Sequence, residues 1–381
     1  MLPPGPWADP APQRVLHLLT EAGHQALYVG GTVRNALIGA PVTDLDMATS
    51  ALPDTVHTLA EGAGFKVIPT GLSHGTVTVI ADGHPIEITT FRRDVATDGR
   101  HADVAFSEDV AEDASRRDFT MNALYATAGG EVVDPLGGAP DLAARRVRFI
   151  GAPEDRIRED YLRILRFFRF TAWYGAPEEG LDAEGLAACA ALAGGLRTLS
   201  AERVTAELLK LLAAQDPAPA VAAMAQSGVL SRTLPGASAE ALAPLIHLEG
   251  QLDLSPEPLR RLAGLGGSTD ALRLSKAQAR RLAELRHHLG ALTGPAELGY
   301  RLGALVARDV LTLRAALFST PLDPAQIPEV ERGAQMVFPL RAKDLPDALQ
   351  GPEIGAALRR LETAWIASGM RLSKAELLAR L

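Results

Sequence analysis

The periodicity of the apolar residues changes near residue 150, and this change limits the folds open to the chain. Before it, short runs that alternate between apolar and polar residues are separated by Gly, Pro and Asp-Gly turns. Residues 76–91 predict two strands joined at Asp82-Gly83. From Pro153 onward the apolar residues recur at helical spacing, and prolines divide the region into several short helices. The pattern predicts an α/β head followed by an all-helical remainder.

Length and composition indicate a soluble globular protein. The chain has 381 residues, enough for two or three domains, and its 47% hydrophobic and 22% charged residues exclude global disorder. No stretch free of charged residues approaches the ~18 apolar residues of a membrane span, and residues 1–10 lack a secretory leader, so we expect a cytoplasmic protein. The single Cys189 excludes a disulfide framework. With a net charge of −8, any contact with a polyanion must come from local basic patches.

A glycine pair follows the first predicted strand. Residues 27–29 form a short apolar run that leads into Gly30-Gly31 and then a predicted helix. Two glycines let the backbone come close to a ligand, and a helix N-terminus offers free N–H groups to phosphate. Arg34 adds a charge-assisted contact from the first turn. The alternative is a plain tight turn.

Two aspartates lie close behind the glycine pair. Asp44 and Asp46 are two residues apart on a predicted strand, so their side chains face the same side. Neighbouring like charges repel, and a divalent cation relieves that repulsion. Carboxylate oxygens suit Mg²⁺ that is bound together with substrate phosphates. The alternative is a pair of solvated acids on an edge strand.

A third carboxylate lies on the predicted hairpin. Glu87 is flanked by Ile86 and Ile88, so its side chain points away from these apolar neighbours. It is able to complete a metal site or to accept the proton of an attacking hydroxyl. An exposed strand glutamate fits the sequence nearly as well.

These residues resemble a known enzyme family. Gly30-Gly31-x-x-Arg34 followed by Asp44-x-Asp46 resembles the polymerase-β-like nucleotidyltransferases, and more narrowly the class II tRNA CCA-adding enzymes and the bacterial poly(A) polymerases. The match spans about residues 25–215 and is faint beyond about residue 240. Further segments match in order: residues 91–101 resemble the family's flexible loop, 116–123 its RRDFTxNA segment, 134–142 the stretch before the neck, and 158–163 its nucleotide-selecting EDxxR helix.

The resemblance implies an α+β fold with four parts. These are a nucleotidyltransferase head with a small mixed sheet over residues 1–140, a nucleotide-selecting neck over 141–200, a helical body over 201–290 that binds RNA, and a helical tail over 291–381. It implies a template-independent enzyme that adds or repairs the 3′-terminal CCA of tRNA from CTP and ATP with Mg²⁺. The sequence does not define an oligomeric state.

Three rival functions remain open at this point. A poly(A) polymerase and an enzyme that adds only A share the same chemistry. An enzyme that adds only CC is disfavoured, because such relatives typically lack the flexible loop and residues 91–106 are present here. The rival from another class is a non-catalytic RNA-binding relative. Intact Asp44 and Asp46 argue against it.

The chemistry of nucleotide transfer explains these residue types. Transfer to a hydroxyl is an in-line displacement at phosphorus, so catalysis is mostly positioning and charge neutralisation. Metals held by Asp44 and Asp46 would lower the pKa of the primer 3′-hydroxyl and stabilise the pyrophosphate leaving group. Gly30, Gly31 and Arg34 would hold the triphosphate. By resemblance, four arginines contact the nucleotide: Arg117, Arg163, Arg166 and Arg169.

Asp160 and Arg163 provide a way to select bases. They lie three residues apart on a predicted helix, hence on one face. Cytosine and adenine both present an amino group beside an unprotonated ring nitrogen, whereas uracil and guanine present a carbonyl beside a ring N–H. An aspartate accepts from the amino group while an arginine donates to the ring nitrogen. The alternative is a surface ion pair.

The best candidate for RNA contact is a basic stretch over residues 273–288. We predict it to be one helix, and its cations far outnumber its single Glu284. A-form RNA is held mainly through phosphates and 2′-hydroxyls, which favours clustered cations, although a solvated helix face fits as well. The candidate RNA-binding residues are Arg273, Lys276, Arg280 and Arg281.

The segment from Arg92 to Arg100 is predicted to be a mobile loop. It is too polar and too interrupted by glycine to be core. Because one Asp–Arg pair would have to read two bases of different size, something must reshape the pocket before the terminal A is added. We predict that this loop does so.

Overall fold

A seven-stranded mixed sheet forms the head in the computed structural model. The structure describes residues 1–71, 75–98, 101–176, 178–346 and 348–381, without the side chains of 69–71, 94–98 and 101–104. The strand order is β3-β4-β5-β2-β1-β8-β9, where β2 and β5 run parallel and the other neighbours antiparallel. The strands are β1 (Ala26–Val29), β2 (Leu45–Thr49), β3 (Lys66–Gly71), β4 (Thr76–Ala81), β5 (His84–Thr90), β8 (Tyr125–Ala126) and β9 (Val132–Val133).

The predicted Asp-Gly hairpin is confirmed. β4 and β5 pair antiparallel around Asp82 and Gly83, whose φ angles are 49° and 84°. A two-residue turn with both φ angles positive matches the right-handed twist of the flanking strands, and Asp-Gly is a favoured sequence for it. This hairpin places Glu87 on β5, beside β2.

The segment predicted as a mobile loop forms a second, two-stranded sheet. β6 (Arg92–Asp98) pairs antiparallel with β7 (His101–Phe106), so Arg92 opposes Phe106 and Asp98 opposes His101. Val95 and Thr97 favour extended backbone, and pairing with β7 satisfies the backbone groups of a segment that is otherwise polar. Gly99, Arg100 and the side chains of Asp94 and Asp98 lie outside the described residues. The mobility of this ribbon remains a prediction.

Every regular element described beyond Val133 is helical, which confirms the α+β class and the change near residue 150. No helix among the described residues combines the length and the apolar character that crossing a bilayer requires. The helices up to residue 237 are α1 (Pro10–Glu21), α2 (Gly31–Ile38), α3 (Pro53–Gly62), α4 (Val110–Ser115), α5 (Ala139–Ala143), α6 (Pro153–Glu159), α7 (Leu162–Tyr174), α8 (Ala183–Leu192), α9 (Ala201–Leu212), α10 (Ala218–Gln226) and α11 (Val229–Thr233).

The chain divides into two compact units. The first contains residues 1–237 and 268–273, and the second contains 238–267 and 274–381. The four-part division into head, neck, body and tail remains a prediction. The helices of the second unit are α12 (Leu242–Gln251), α13 (Pro258–Leu265), α14 (Lys276–Leu289), α15 (Pro295–Leu302), α16 (Ala304–Leu317), α17 (Gln326–Ala334), α18 (Pro352–Ala367) and α19 (Lys374–Leu378).

An aromatic cluster fixes α7 within the first unit. The ring of Phe119 lies 4.9 Å from that of Phe149 and 5.0 Å from that of Phe170, and Phe149 stacks on Phe167 at 5.5 Å. Phe119, Phe149, Phe167 and Phe170 are all buried. Burying four aromatic rings stabilises this contact by several kcal/mol, of order 2 kcal/mol per ring. The cluster thus anchors the helix that carries three of the predicted nucleotide-contacting arginines.

Candidate active site

The acidic residues meet on neighbouring strands. Asp46 on β2 and Glu87 on β5 are register partners in a parallel pair, so their side chains project side by side from one face of the sheet. Asp44 lies one residue before β2, which begins at Leu45 rather than at residue 43 as predicted. The three carboxylates therefore gather at one end of β2.

A threonine that the sequence analysis missed holds the two aspartates in place. Thr32 on α2 is fully buried. Its hydroxyl accepts the Asp46 backbone N–H at 2.9 Å and donates to the Asp44 carbonyl at 3.2 Å. The Thr32 side chain thus connects the first turn of α2 to the backbone of both Asp44 and Asp46.

Negative charge is concentrated around Asp46. Burial, together with the Glu87 and Asp44 carboxylates, raises the pKa of Asp46 to about 6, although Arg117 and Arg34 oppose the shift. The raised pKa reflects burial and repulsion between neighbouring carboxylates, and a divalent cation bound there would relieve that repulsion. The residues present therefore fit a hard cation.

The donor set limits how such a cation would be held. Within the ranges that the structure describes, no group of three or more Asp, Glu, His or Cys side chains has an arrangement that could hold a metal ion. Asp44 and Asp46 would then leave the other coordination positions to water and substrate phosphate, as is usual for Mg²⁺. Both predicted roles of Glu87, completing a metal site and accepting the hydroxyl proton, remain predictions at this point.

The raised pKa predicts how pH affects the stability of the metal-free protein. Because folded Asp46 binds its proton more tightly than the unfolded chain does, stability falls as pH rises from about 4 to about 6. Asp46→Asn removes this loss, so in EDTA at pH 7.5 we expect it to raise the free energy of unfolding by about 1–2 kcal/mol.

Melting curves at pH 4.5 and 7.5 test this expectation. The gain from Asp46→Asn should shrink at pH 4.5, where the native carboxyl is protonated, and the exposed control Glu131→Gln should show no such gain at either pH. An Asp46→Asn variant that is less stable than the wild type at pH 7.5 would contradict the expectation.

The glycine pair brings the first turn of α2 against the acids. Gly30 has φ 60° and ψ −118°, a conformation that only glycine adopts readily. A Cβ on Gly31 would lie 3.9 Å from Asp46 Oδ2 and 3.7 Å from Arg34 Nη2. The backbone N–H groups at the start of α2, the Asp46 carboxylate and the Arg34 guanidinium therefore share one small region.

Arg34 is a buried cation with neutral partners. It donates to Asn122 Oδ1 at 2.5 Å, to Asn35 Oδ1 at 2.8 Å and to the Tyr174 hydroxyl at 2.8 Å, and its guanidinium lies 3.9 Å from the centre of the Tyr174 ring. Burial, with Arg169 and Arg166 nearby, lowers its pKa. A buried guanidinium whose described hydrogen bonds go to uncharged groups is suited to an anionic ligand.

Arg117 is fixed beside the glycine pair. It donates to Asp113 at 3.0 Å and to the Tyr125 hydroxyl at 3.1 Å. Although burial alone would lower its pKa, the Asp113 carboxylate raises it. A Cβ on Gly30 would lie 3.4 Å from Arg117 Nη1, so this guanidinium covers the glycine turn.

The remaining predicted arginines form a row along α7 and face acids from other elements. Arg166 Nε donates to Asp118 at 2.7 Å, Arg169 Nε donates to Glu207 at 2.5 Å, and Arg163 pairs with Glu159. The guanidinium groups of Arg166 and Arg169 also lie over the buried Phe170 ring. The row is therefore held in place from both sides.

A chain of hydrogen bonds links Arg34 to this row. Asn122 accepts from Arg34 through its oxygen and donates from its nitrogen to Asp118 at 2.8 Å, while Asp118 accepts from Arg166. Asp118 and Asn122 were visible in the sequence as members of the RRDFTxNA segment, but their partners were not. Nothing local pointed to Glu207, since its partners lie 38 residues or more away.

Asp160 is not inside a helix, contrary to the prediction. It lies in extended backbone between α6 and α7, with φ −155°, and its Oδ1 accepts the Leu162 N–H at 3.1 Å. A carboxylate that captures a nearby backbone N–H favours the start of a helix over its interior. Asp160 and Arg163 still share one turn, because the Arg163 N–H donates to the Asp160 carbonyl at 3.0 Å.

The predicted RNA-binding stretch is not one helix. Ser275 caps α14, which begins at Lys276, so Arg273 lies outside it and pairs instead with Glu202. Arg281 pairs with Asp309 and is only partly exposed. Lys276 and Arg280 remain as exposed cations on α14.

Two family models match parts of the chain. The model described as "Poly A polymerase head domain" matches residues 26–148, and the one described as "Probable RNA and SrmB- binding site of polymerase A" matches residues 181–240. The first match contains the glycine pair, the three carboxylates and Arg117. The second contains α9.

Named relatives and a solved structure extend the likeness over the whole chain. The mitochondrial CCA tRNA nucleotidyltransferase 1 of Mus musculus is 33% identical over 382 residues, which cover 95% of this chain and 87% of that protein. The CCA-adding enzyme of Geobacillus thermodenitrificans is 40% identical over 228 residues, covering 58% of this chain and 54% of that one. The structure of the Bacillus stearothermophilus CCA-adding enzyme in complex with CTP has a TM-score of 0.75 at 28% identity and covers 99% of this chain and 98% of that one.

Proposed function

We propose how individual residues of this chain carry out CCA addition; the chain belongs to the CCA tRNA nucleotidyltransferase family. The enzyme adds or repairs the 3′-terminal CCA of tRNA from CTP and ATP. One observation supports this assignment most: Asp46, Glu87, the glycine turn and Arg34 lie close together at one end of β2.

Asp44 and Asp46 hold the catalytic metal. Nucleotidyltransferases of this family generally use a divalent metal, and we take it to be Mg²⁺ because the ligands are carboxylate oxygens. When bound, the ion neutralises charge at the reacting phosphate and acidifies the attacking hydroxyl. Thr32 keeps both aspartates at the end of β2, and Glu87 accepts the proton of the tRNA 3′-hydroxyl.

The triphosphate lies at the start of α2. Gly30 provides the turn that admits the phosphates, since its own N–H donates to the Leu124 carbonyl at 3.1 Å, and the N–H groups of the first turn of α2, beginning with Gly31, donate to the phosphate oxygens. Arg34 supplies a cation whose described hydrogen bonds involve no carboxylate. Three more arginines complete the nucleotide site, held in position by the acids they pair with: Arg117, Arg166 and Arg169.

Asp160 and Arg163 read the base. Asp160 uses one oxygen for the Leu162 N–H and the other for Arg203, and each oxygen has a second lone pair for a base amino group. Arg163 uses Nη1 and Nη2 on Glu159 and two backbone carbonyls, which leaves Nε for a ring nitrogen. Both residues therefore keep the hydrogen-bonding capacity that selection of C and A requires.

The RNA contact and the location of the enzyme complete the proposal. Lys276 and Arg280 contact tRNA phosphates. Arg273 and Arg281 add positive charge that is partly offset by the acids they pair with, Glu202 and Asp309. We also propose the division into head, neck, body and tail, and a cytoplasmic location, although the Mus musculus relative is mitochondrial by name.

A product-length assay tests the proposed function. The protein is incubated with Mg²⁺ and tRNA that ends before CCA, in C, or in CC, with CTP and ATP supplied separately and together, and the products are resolved by length. We expect CMP addition to the first two substrates, AMP addition to the third, and a stop after three nucleotides. Long A tails, or addition of A alone, would instead indicate the poly(A) or A-only activity.

The buried hydroxyl of Thr32 gives a first test of the metal site. Thr32→Val keeps the shape but leaves the Asp46 N–H and the Asp44 carbonyl without their partner, so we expect kcat for CMP and AMP addition to fall about tenfold or more. Thr32→Ser keeps the hydroxyl and should stay within about threefold of wild type. Single-turnover rates measure both variants, and equal rates for Val and Ser would contradict the positioning role.

The β6–β7 ribbon gives a test of the switch from C to A. Deleting residues 95–99 should leave CMP addition largely intact and slow terminal AMP addition at least about tenfold, roughly 1.4 kcal/mol in the barrier. The reason is that one base-reading pair must serve two bases of different size. Single-turnover rates on tRNA ending in C and in CC provide the measurement, with CMP addition as the internal control. Equal survival or equal loss of both additions would contradict a role in the switch.

A further inference from the structure

Asp160 is held by an arginine from a different helix. Arg203, in the first turn of α9, donates from Nη2 to Asp160 Oδ2 at 2.6 Å. The other oxygen, Oδ1, accepts the Leu162 N–H at 3.1 Å. The carboxylate is thus fixed at both oxygens, once by the start of α7 and once by α9.

The same face of α9 also pairs with two arginines of α7. Glu207 lies one turn beyond Arg203, is buried, and pairs with Arg169 at 2.5 Å and more weakly with Arg166 at 3.9 Å. Residues four apart on a helix share a face. The α9 helix therefore supports the proposed base-reading segment through two ion pairs. Arg203 pairs with Asp160, and Glu207 pairs with the arginines of α7.

We propose that Arg203 is a positioning residue that sets base specificity by locking the Asp160 carboxylate. The proposal rests on the base-reading role of Asp160. Arg203 does not touch the nucleotide; it acts through Asp160.

Locking matters because rejection of the wrong base depends on it. When uracil or guanine enters, its carbonyl oxygen meets the Asp160 oxygen, and two acceptors repel. A carboxylate free to rotate about its side-chain bonds turns away and removes the penalty. One that is held at both oxygens cannot turn away without breaking a charge-assisted hydrogen bond. Loss of Arg203 should therefore weaken the exclusion of UTP and GTP more than it slows the addition of CMP and AMP.

Substitution at residue 203 tests the proposal. Arg203→Ala should lower the ratio of kcat/KM for CTP over UTP, on tRNA ending in C, at least about tenfold, and the ATP over GTP ratio on tRNA ending in CC likewise. Because the contact uses a single nitrogen, Arg203→Lys should restore both ratios to within about threefold of wild type. Lys210→Ala is the matched control, since Lys210 is an exposed cation on the same helix.

Asp160→Ala, measured in parallel, distinguishes the role of Arg203 from that of Asp160. If Asp160→Ala lowers the ratios and Arg203→Ala does not, the inference about Arg203 is wrong while the base-reading role stands. If Asp160→Ala also leaves them unchanged, the base-reading role fails, and the inference with it. If Arg203→Ala slows CTP and UTP equally and lowers the melting temperature, Arg203 has only a structural role and the inference is overturned.

Discussion

Asp46→Asn and Asp44→Asn should each abolish the transfer of both CMP and AMP, with a loss in kcat of at least about a thousandfold. Asparagine keeps the size of the side chain but removes the negative charge that holds a divalent cation. Asp46 also has other acids close by, since Glu87 is its register partner and Asp44 raises its pKa. Single-turnover rates with saturating Mg²⁺, CTP or ATP, and tRNA measure the effect.

Binding of tRNA separates this role from a general loss of the fold. The two acids contribute no cation to the RNA contact, so tRNA affinity at fixed salt should stay within a few-fold of wild type in both variants. Asp54→Asn removes an exposed charge from the first turn of α3 and should leave transfer unchanged. Retention of even a tenth of wild-type turnover by Asp46→Asn would contradict the metal assignment.

Features encoded by neighbouring residues could be predicted from the sequence. The Asp82-Gly83 hairpin and the glycine turn before α2 each depend on a few adjacent residues, and both were confirmed. The proximity of Glu87 to Asp46 followed from one further step, the pairing of two strands.

Features that depend on long-range partners could not be predicted. Thr32 acts on residues 12 and 14 positions away, and Arg203 on one 43 positions away. No spacing rule for a single helix or strand marks such contacts. The placement of Asp160 within a helix was wrong for a local reason: its carboxylate binds the Leu162 N–H and thereby starts a new helix.

The second large effect is expected in base selection rather than in rate. Asp160→Ala or Arg163→Ala should lower the preference for CTP over UTP, and for ATP over GTP, by about a hundredfold or more, because sites built to pair with a polar edge reject mismatched partners by factors up to ~10⁴. Triphosphate binding should change less, since Gly30, Gly31 and Arg34 lie on another element.

A second Asp–Arg pair in the same region provides the matched control. Asp155 and Arg158 on α6 are also three residues apart and pair at 3.0 Å, but both are exposed. Such a pair contributes only a few tenths of a kcal/mol and reads nothing. Asp155→Ala and Arg158→Ala should therefore leave all four nucleotide preferences unchanged. This comparison keeps the loss of an ion pair constant and varies only its position.

The outcome depends on what each residue retains when its partner is removed. In Asp160→Ala, Arg163 remains held by Glu159 and the Arg116 carbonyl, so it still donates to an unprotonated ring nitrogen and some preference for C and A survives. In Arg163→Ala, Asp160 remains held by Arg203 and the Leu162 N–H, so it still repels a carbonyl edge. Each single variant should thus discriminate better than the double variant. kcat/KM values for the four nucleotides on tRNA ending in C and in CC measure this order. A single variant that loses CTP and ATP binding yet discriminates fully would contradict base reading by this pair.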